Sequence, residues 1–263
     1  MTAYALPAPR MMGADFLKLR RRRGLVAVLA LLTVGAVTIT YGTIEIMHLV
    51  DGTTHGPAGG VRHLGHGVWV LSALGAVAAA IVGSFASAGD LDAGVYRELV
   101  VTGRSRLALY LARIPAGFAF LLPFVAAGYA LAAGASVVFA GSNPAPDTRL
   151  LVVTGLWTVL QVAFYYLLAV GISSLVGRSY TVGIVLAWRL ALTPILATIS
   201  ALGIVRELVP GVALQSLAPA GLGDSIRQGP VIPMSVAATA AVLVVWAGVA
   251  LAAGGRRDTT RDA

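Results

Sequence analysis

An all-α fold built within a bilayer is what this chain predicts, and three observations predict it. Of its 263 residues 58% are hydrophobic, only 11% are charged, and the apolar residues are gathered into long runs. Ordinary soluble domains hold roughly 45–50% apolar and about 25% charged residues. A chain of this length has too little interior to hide such an excess from water, and a mean hydropathy of +0.86 agrees. The net charge of +8 and pI near 10.4 do not indicate nucleic acid. The basic residues stand at the ends of apolar runs and form no basic face interleaved with aromatics. Cysteine is absent, which removes disulfides, thiolate metal sites and cysteine nucleophiles.

The elements follow in order. The basic cluster Lys18–Arg23 precedes an apolar run, as in a secretory signal, but the run is long enough to span and no small-x-small cleavage site follows it. It reads as a retained first span. A span needs about 20 mostly apolar residues, and six runs qualify: 24–42, 68–88, 107–140, 150–176, 182–205 and 231–253. The third is long, with Pro115 and Pro123 inside it, yet too short for two spans and a turn. Glycine and proline within these runs are no objection, because helices in lipid tolerate both. Only Gly177-Arg178-Ser179-Tyr180 separates the fourth and fifth runs, so these two are antiparallel neighbours. The whole of 1–263 reads as one transmembrane domain.

Lysine and arginine placement sets the orientation. With the N-terminus in the cytoplasm, inside segments hold Arg10, Lys18, Arg20–Arg23, Arg97, Arg104, Arg106, Arg113, Arg178, Arg256, Arg257 and Arg261. Outside segments hold only Arg62, Arg149, Arg206 and Arg227, and Arg189 falls within a span. Fourteen against four favours six spans with both termini inside. The outside segments are then 43–67, 141–149 and 206–230. The last is too apolar for a solvated loop and too broken by Pro210, Gly211, Pro219 and Gly221 to span. It reads either as short helices at the outer leaflet or as an irregular loop.

The same assignment leaves one charged interior segment, 90–106, in the cytoplasm between the second and third spans. Leu91, Val95, Tyr96, Leu99 and Val100 recur at helical spacing, while Asp92, Arg97, Glu98 and Thr102 fall mainly elsewhere. Asp90 stands where an N-cap would, and Gly103 where a left-handed residue ends a helix. Gly94 costs about 1 kcal/mol against alanine inside a helix, which suggests close backbone approach or a break. An amphipathic helix lying on lipid and a helix docking into a groove of a soluble protein both fit these residues.

The run from Asp92 through Arg113, DAGVYRELVVTGRSRLALYLAR, resembles the cytoplasmic segment after the second span in type-2 ABC-transporter permeases. That family shows an acid, a glycine-containing short helix, Leu–x–x–small–Gly/Pro–x–x–Arg, and a long third span. It often has Glu where Asp92 stands and Thr where Val95 stands. ADFLKLRRRRGL resembles the family's amphipathic N-terminal elbow helix. Span count, the short turn between spans four and five, and the apolar segment before span six agree with it. The resemblance implies that 90–106 is a coupling helix seated on an ATP-binding subunit. Asp92, Gly94, Arg97, Glu98, Gly103, Arg104 and Arg106 would form the contact. It further implies two copies of that ATPase, a second permease copy or sister permease, surrounding lipid, a bacterial-type inner membrane and export. This chain holds no nucleotide motif: a P-loop needs Gly-Lys-Ser/Thr, and the only lysine is Lys18. It is therefore expected to be no enzyme and to need no cofactor of its own, with ATP and Mg in the partner.

Within the spans, Arg189 stands about eight residues, roughly 12 Å, into the fifth. An arginine at membrane depth costs about 2.5–3.5 kcal/mol or more, so it either snorkels to the surface or faces protein or a water-filled cavity. Gln161, Tyr165 and Tyr166 lie at the matching level of the antiparallel fourth run, and no acid does. These four are the candidate lining of a translocation path, although Gln161 alone also suits an interhelical hydrogen bond. All four histidines, His48, His55, His63 and His66, fall in one outside stretch with Asp51. Imidazole is the commonest metal ligand and a His63–His66 pair has helical spacing, but the intervening glycines predict a mobile loop with no fixed geometry.

The expected activity is therefore export of a hydrophobic or amphipathic drug, antibiotic or antimicrobial peptide, powered from outside the chain. Export of a lipid-linked glycan is an alternative that would need a wider, more polar path. An ion-coupled carrier would keep acids in its spans, and here only Glu45 stands near one, at an edge. An intramembrane enzyme would need paired acids, HExxH or a Ser/Lys pair at depth, and the runs contain none.

Overall fold

A computed structural model describes residues 9–92, 105–226 and 232–260, the side chains of 88–92 and 223–225 excepted. Among the described residues every regular element is helical. Six of the helices are long and apolar enough to cross a membrane, which makes the chain a multi-pass membrane protein. In chain order they are preceded by a short helix, α1 (Pro9–Arg20). The spans are α2 (Arg23–Val50), α3 (Val61–Asp92), α4 (Arg106–Val138), α5 (Thr148–Val176), α6 (Arg178–Thr198) and, after a short α7 (Pro210–Ser216), α8 (Val236–Thr260).

The helix ends have local causes. Ser105 caps α4 by accepting from Ala108 N at 3.1 Å, and Asp147 caps α5 by accepting from Leu150 N at 2.7 Å. The turn from α5 to α6 is the single residue Gly177, whose φ of 85° suits a residue without Cβ. That is shorter than the four-residue turn expected. α2 runs eight residues past Gly42, because TIEIMHLV stays apolar, and Glu45 then accepts from Ala58 N at 3.3 Å, drawing the returning chain over the helix end. α3 starts at Val61, so the expected outside segment 43–67 shrinks to a link over 51–60. α6 stops at Thr198, where the backbone turns extended at Ile199, and α8 begins at Val236, three residues after Pro233, so both fall short of the hydropathy limits. α3 continues through Asp92, so Asp90 caps no new helix.

α3 and α5 form the centre, with 61% of each apolar window buried against 17–28% for the other spans. They meet through small and hydroxyl residues. Ser87 Oγ lies 2.5 Å from Ser174 Oγ, and Ser173 Oγ donates to Ser84 O at 3.4 Å. Hydroxyl pairs and close backbone approach hold helices together where lipid removes the hydrophobic drive. α8 packs on α5 at Gly171, where a Cβ would stand 2.3 Å from Ala250 O. α1 lies on α4, burying Leu19 and setting Phe16 edge-on to Phe120 at 6.0 Å.

One end of the bundle is basic. The Arg22 and Arg178 guanidinia stack over the Phe85 ring at 4.9 and 4.5 Å, and Arg106 donates to Thr259 O at 3.3 Å. Just inside this end Arg113 of α4 is 2% exposed. It donates to Ser87 O at 2.9 Å and pairs with Asp258 of α8 at 3.2 Å. Arg113, counted above with the basic residues of the inside segments, is thus a buried residue within α4 that joins α3, α4 and α8.

At the far end, the glycine-rich link is pinned where mobility was expected. Gly59 N donates to Phe139 O at 2.8 Å, Gly60 N to Ser136 O at 2.7 Å, and Asn143 Nδ2 to Pro57 O and Gly59 O. A Cβ on Gly59 would sit 2.2 Å from the Phe139–Ala140 peptide, so only glycine allows the approach. Among the described residues, the segment before α8 holds short helices, 3-10 turns over Ser200–Leu208 and Ala220–Ile226 flanking α7. Of α7, Pro210 to Leu214 are buried against the bundle, so it is an inserted element.

Candidate functional site

Within the six-helix bundle lies a small polar cavity. Its walls come from α3 (Trp69, Ser72), α5 (Trp157, Gln161, Tyr165), α6 (Arg189, Thr193) and the inserted segment (Gly211, Gln215). Its volume is about 20 Å³, room for one water. Three of the four expected path residues meet here. Gln161 Nε2 donates to Ser72 Oγ at 3.1 Å, an interhelical bond that also fixes the amide at the cavity wall. Tyr165 presents its hydroxyl to Arg189 Nη1 at 3.3 Å, and the guanidinium carbon lies 5.1 Å from the ring centre. Tyr166 does not join them. Its hydroxyl donates to Arg113 O at 3.0 Å and Ile114 O at 2.9 Å, and a Cβ at Gly117 would meet it at 2.3 Å. It braces α5 against the proline-bearing turn of α4.

The backbone around Arg189 is itself unusual. Trp188–Leu192 is a π-helical turn between two α-helical stretches of α6, a feature that often accompanies functional sites. Arg189 is half-buried and turned inward on Tyr165. Among the described residues its Nε has no acceptor, nor has the buried hydroxyl of Thr193 one turn on, nor the buried indole N–H of Trp188. Three unserved donors on a single turn are costly, because each buried polar group without a partner carries about 1–3 kcal/mol.

On the other side of Tyr165 a groove of about 300 Å³ opens between α5, α6 and α8. Leu168, Ile172, Ile184, Val185, Trp246 and Val249 wall it, and Trp188 stacks on Trp246 with ring centres 5.2 Å apart. At the far end a wider cleft of about 730 Å³ is lined by His55, Arg62, His63, Asn143 and Leu222. Leu222 belongs to this cleft and Ile226 to the polar cavity, both buried, so the turn Ala220–Ile226 stands between the two spaces.

The remaining candidates fall elsewhere. His63 and His66 lie with ring centres 5.7 Å apart, and His63 Nδ1 donates to Gly59 O at 2.9 Å. His48 Nδ1 donates to His55 O at 2.6 Å. Among the described residues no three His, Cys, Asp or Glu side chains gather as a metal site would require. Gly94, Arg97, Glu98, Gly103 and Arg104 lie outside the described residues, as does the side chain of Asp92; Arg106 opens α4 at the basic end. Sequence reasoning missed Thr193, Ser72 and Gln215. Thr193 stands four residues after Arg189 and was legible from that spacing, whereas Gln215 reaches the cavity only because α7 is inserted. Neither a family model nor a curated protein matches this chain.

Proposed function

We propose that the chain is the membrane permease subunit of an ATP-driven exporter of the type-2 ABC kind, carrying a hydrophobic or amphipathic substrate across a bacterial-type inner membrane. The observation that carries this reading is the Arg189–Tyr165–Gln161 group, a charged and polar cluster held inside a six-helix membrane bundle. A charge at such depth is expensive and by default marks a substrate or ion route. The spaces around it form a broken path: an apolar groove, the polar cavity, the Ala220–Ile226 turn and the far cleft. A transporter at rest has such an occluded route, which an outside energy source must open. No acid lines the cavity or the groove among the described residues, which disfavours a proton- or cation-coupled carrier.

In this reading the sequence 90–106 seats in a cleft of an ATPase subunit, two of which serve a pair of permeases. ATP and Mg bind in that partner. The test is copurification with a candidate ABC ATPase followed by hydrolysis and vesicle transport assays. Charge reversal of Arg97 and Glu98 is expected to abolish copurification or the stimulation of ATPase activity. Arg189→Ala is expected to impair transport by tenfold or more, about 1.4 kcal/mol, with the ATPase still bound. Normal copurification and stimulation by the reversed variant would end the docking assignment.

A further inference from the structure

We infer that the groove between α5, α6 and α8 binds one anionic phospholipid, with an acyl chain in the groove and the phosphate on Arg256 and Arg257. Tyr165, Leu168 and Val185 form the floor of the groove and are buried, whereas Ile184, Trp246 and Val249 on its rim are 38–62% exposed. The groove therefore opens on the outer surface of the bundle, where membrane spans meet hydrocarbon. Water finds no partners along such walls, and an empty groove would forfeit the contacts of its lining atoms. Hydrocarbon fills it.

The dimensions select a single chain. On α5 the lining runs from Tyr165 to Leu175, about 15 Å at a rise of about 1.5 Å per residue. That is half of a hydrocarbon core of roughly 30 Å, so the groove serves one leaflet. Leu175 and Ala253 stand near the ends of α5 and α8, which places the mouth at the basic end of the bundle. Trp188 and Trp246, with ring centres 5.2 Å apart, mark the deep end. About 300 Å³ spread over about 15 Å leaves a width of about 5 Å. Carbon atoms in contact are about 3.5–4.0 Å apart, so one methylene chain fits. A helix, about 10–12 Å across, does not, which rules out a span of a second copy.

The basic end supplies the headgroup site. Trp246, Ala250 and Ala253 line the groove from α8, and Arg257 continues their stripe one turn on, with Arg256 beside it. Both arginines are exposed, and neither guanidinium has a hydrogen bond or ion pair among the described residues. The acid that follows them, Asp258, is turned inward on Arg113 and has no exposed side-chain surface, so it leaves them unneutralised. Arg22, Arg106 and Arg178 at the same end are engaged with Phe85 and Thr259. Guanidinium matches phosphate oxygens with two parallel hydrogen bonds. Two such groups at the mouth of a groove one chain wide favour a lipid of net negative charge over a zwitterion, whose own cation opposes them. The inference goes beyond the transport reading and does not depend on it; a cargo using the groove would displace this lipid.

Trp188 and Trp246 line the groove, so a lipid brominated on one acyl chain quenches their fluorescence on contact. The full chain is placed in nanodiscs of phosphatidylcholine that contain a small, increasing fraction of brominated phosphatidylglycerol or, separately, of brominated phosphatidylcholine. Trp69 is exposed as well and gives both lipids the same background. Phosphatidylglycerol is expected to quench saturably, at about a tenfold lower fraction than phosphatidylcholine. The double change Arg256→Gln with Arg257→Gln is expected to abolish that preference. Arg21→Gln with Arg23→Gln removes the same charge from exposed positions at the same end and is expected to preserve it. All four arginines except Arg257 and Arg256 lie away from the groove, and all are exposed, so none of these changes disturbs the packed interior. Ala253→Phe, which narrows the groove at its mouth, is expected to reduce quenching by phosphatidylglycerol to the phosphatidylcholine level. Equal quenching by the two lipids in the unaltered chain would mean annular lipid only and would overturn the assignment. An equal loss in both arginine pairs would do the same, by reducing the effect to general surface charge. So would unchanged quenching in Ala253→Phe, which would put the chain elsewhere. No ATPase enters the measurement, so its failure and that of the exporter reading are separate results.

Discussion

At the scale of the residue, the strongest constraint is the buried pair Arg113–Asp258. Both side chains are almost wholly out of solvent and the guanidinium also serves Ser87 O. Removing one partner of a buried pair leaves an uncompensated charge, at a cost of about 3–5 kcal/mol. Asp258→Ala is therefore expected to lower the thermal midpoint in detergent markedly. The double change Arg113→Met with Asp258→Leu should recover most of it, which separates the charge penalty from lost packing. A surface carboxylate behaves differently. Asp51 accepts from Thr53 Oγ1 at 2.6 Å and from the Thr53 and Thr54 amides at 3.2 Å, and those hydrogen bonds hold its pKa down to about 2. Its unfolded value is about 3.9, so this turn is favoured above that pH and loses its support as pH falls through about 2. A carboxyl carbon titration by NMR should place the midpoint near 2, and Thr53→Ala should move it up toward the ordinary range.

At the scale of the element, the bundle depends on places where backbones touch. Gly171 on α5 meets the Ala250 carbonyl of α8, and Gly254 on α8 faces the Gly171 carbonyl in turn. Reciprocal contacts of this kind leave no room for a side chain. Gly171→Leu is expected to push α8 off α5, at about 1–3 kcal/mol or more, and to loosen the groove that the two helices share with α6. The checks are the thermal midpoint and protease sensitivity of the α7–α8 connection. The π-helical turn of α6 belongs to this scale too. It sets Arg189 and Thr193 on the cavity wall while Trp188 lines the groove, so one irregular turn serves both spaces.

At the scale of the whole molecule, the ends of the bundle differ. Arg22, Arg106 and Arg178 gather at one end, the pinned link 51–60 and the short helices at the other. The charge rule predicts that the basic end faces the cytoplasm. The chain has no cysteine, so single cysteines at the exposed positions Thr54 and Ser179 report topology directly. A membrane-impermeant maleimide applied to intact cells is expected to label Thr54→Cys and spare Ser179→Cys until the membrane is opened. The opposite pattern would invert the proposed direction of transport.

The amino-acid order by itself determined the solvent, the number of spans and which residue would be out of place in them. These follow from the length and composition of local runs, and from the cost of one arginine among apolar neighbours. It also placed Gln161, Tyr165, Tyr166 and Arg189 at one depth, because antiparallel helices joined by a short turn share a rise per residue. Rotation about a helix axis is another matter. Tyr165 and Tyr166 are adjacent in sequence, yet one lines the cavity and the other braces α4, a choice made by packing around the helix. Tertiary structure alone decided that Arg113 meets Asp258, that Gly59 pins its link, and that α7 enters the bundle to close the cavity. Each joins residues far apart along the chain, and only the closeness of the folded backbones creates the contact.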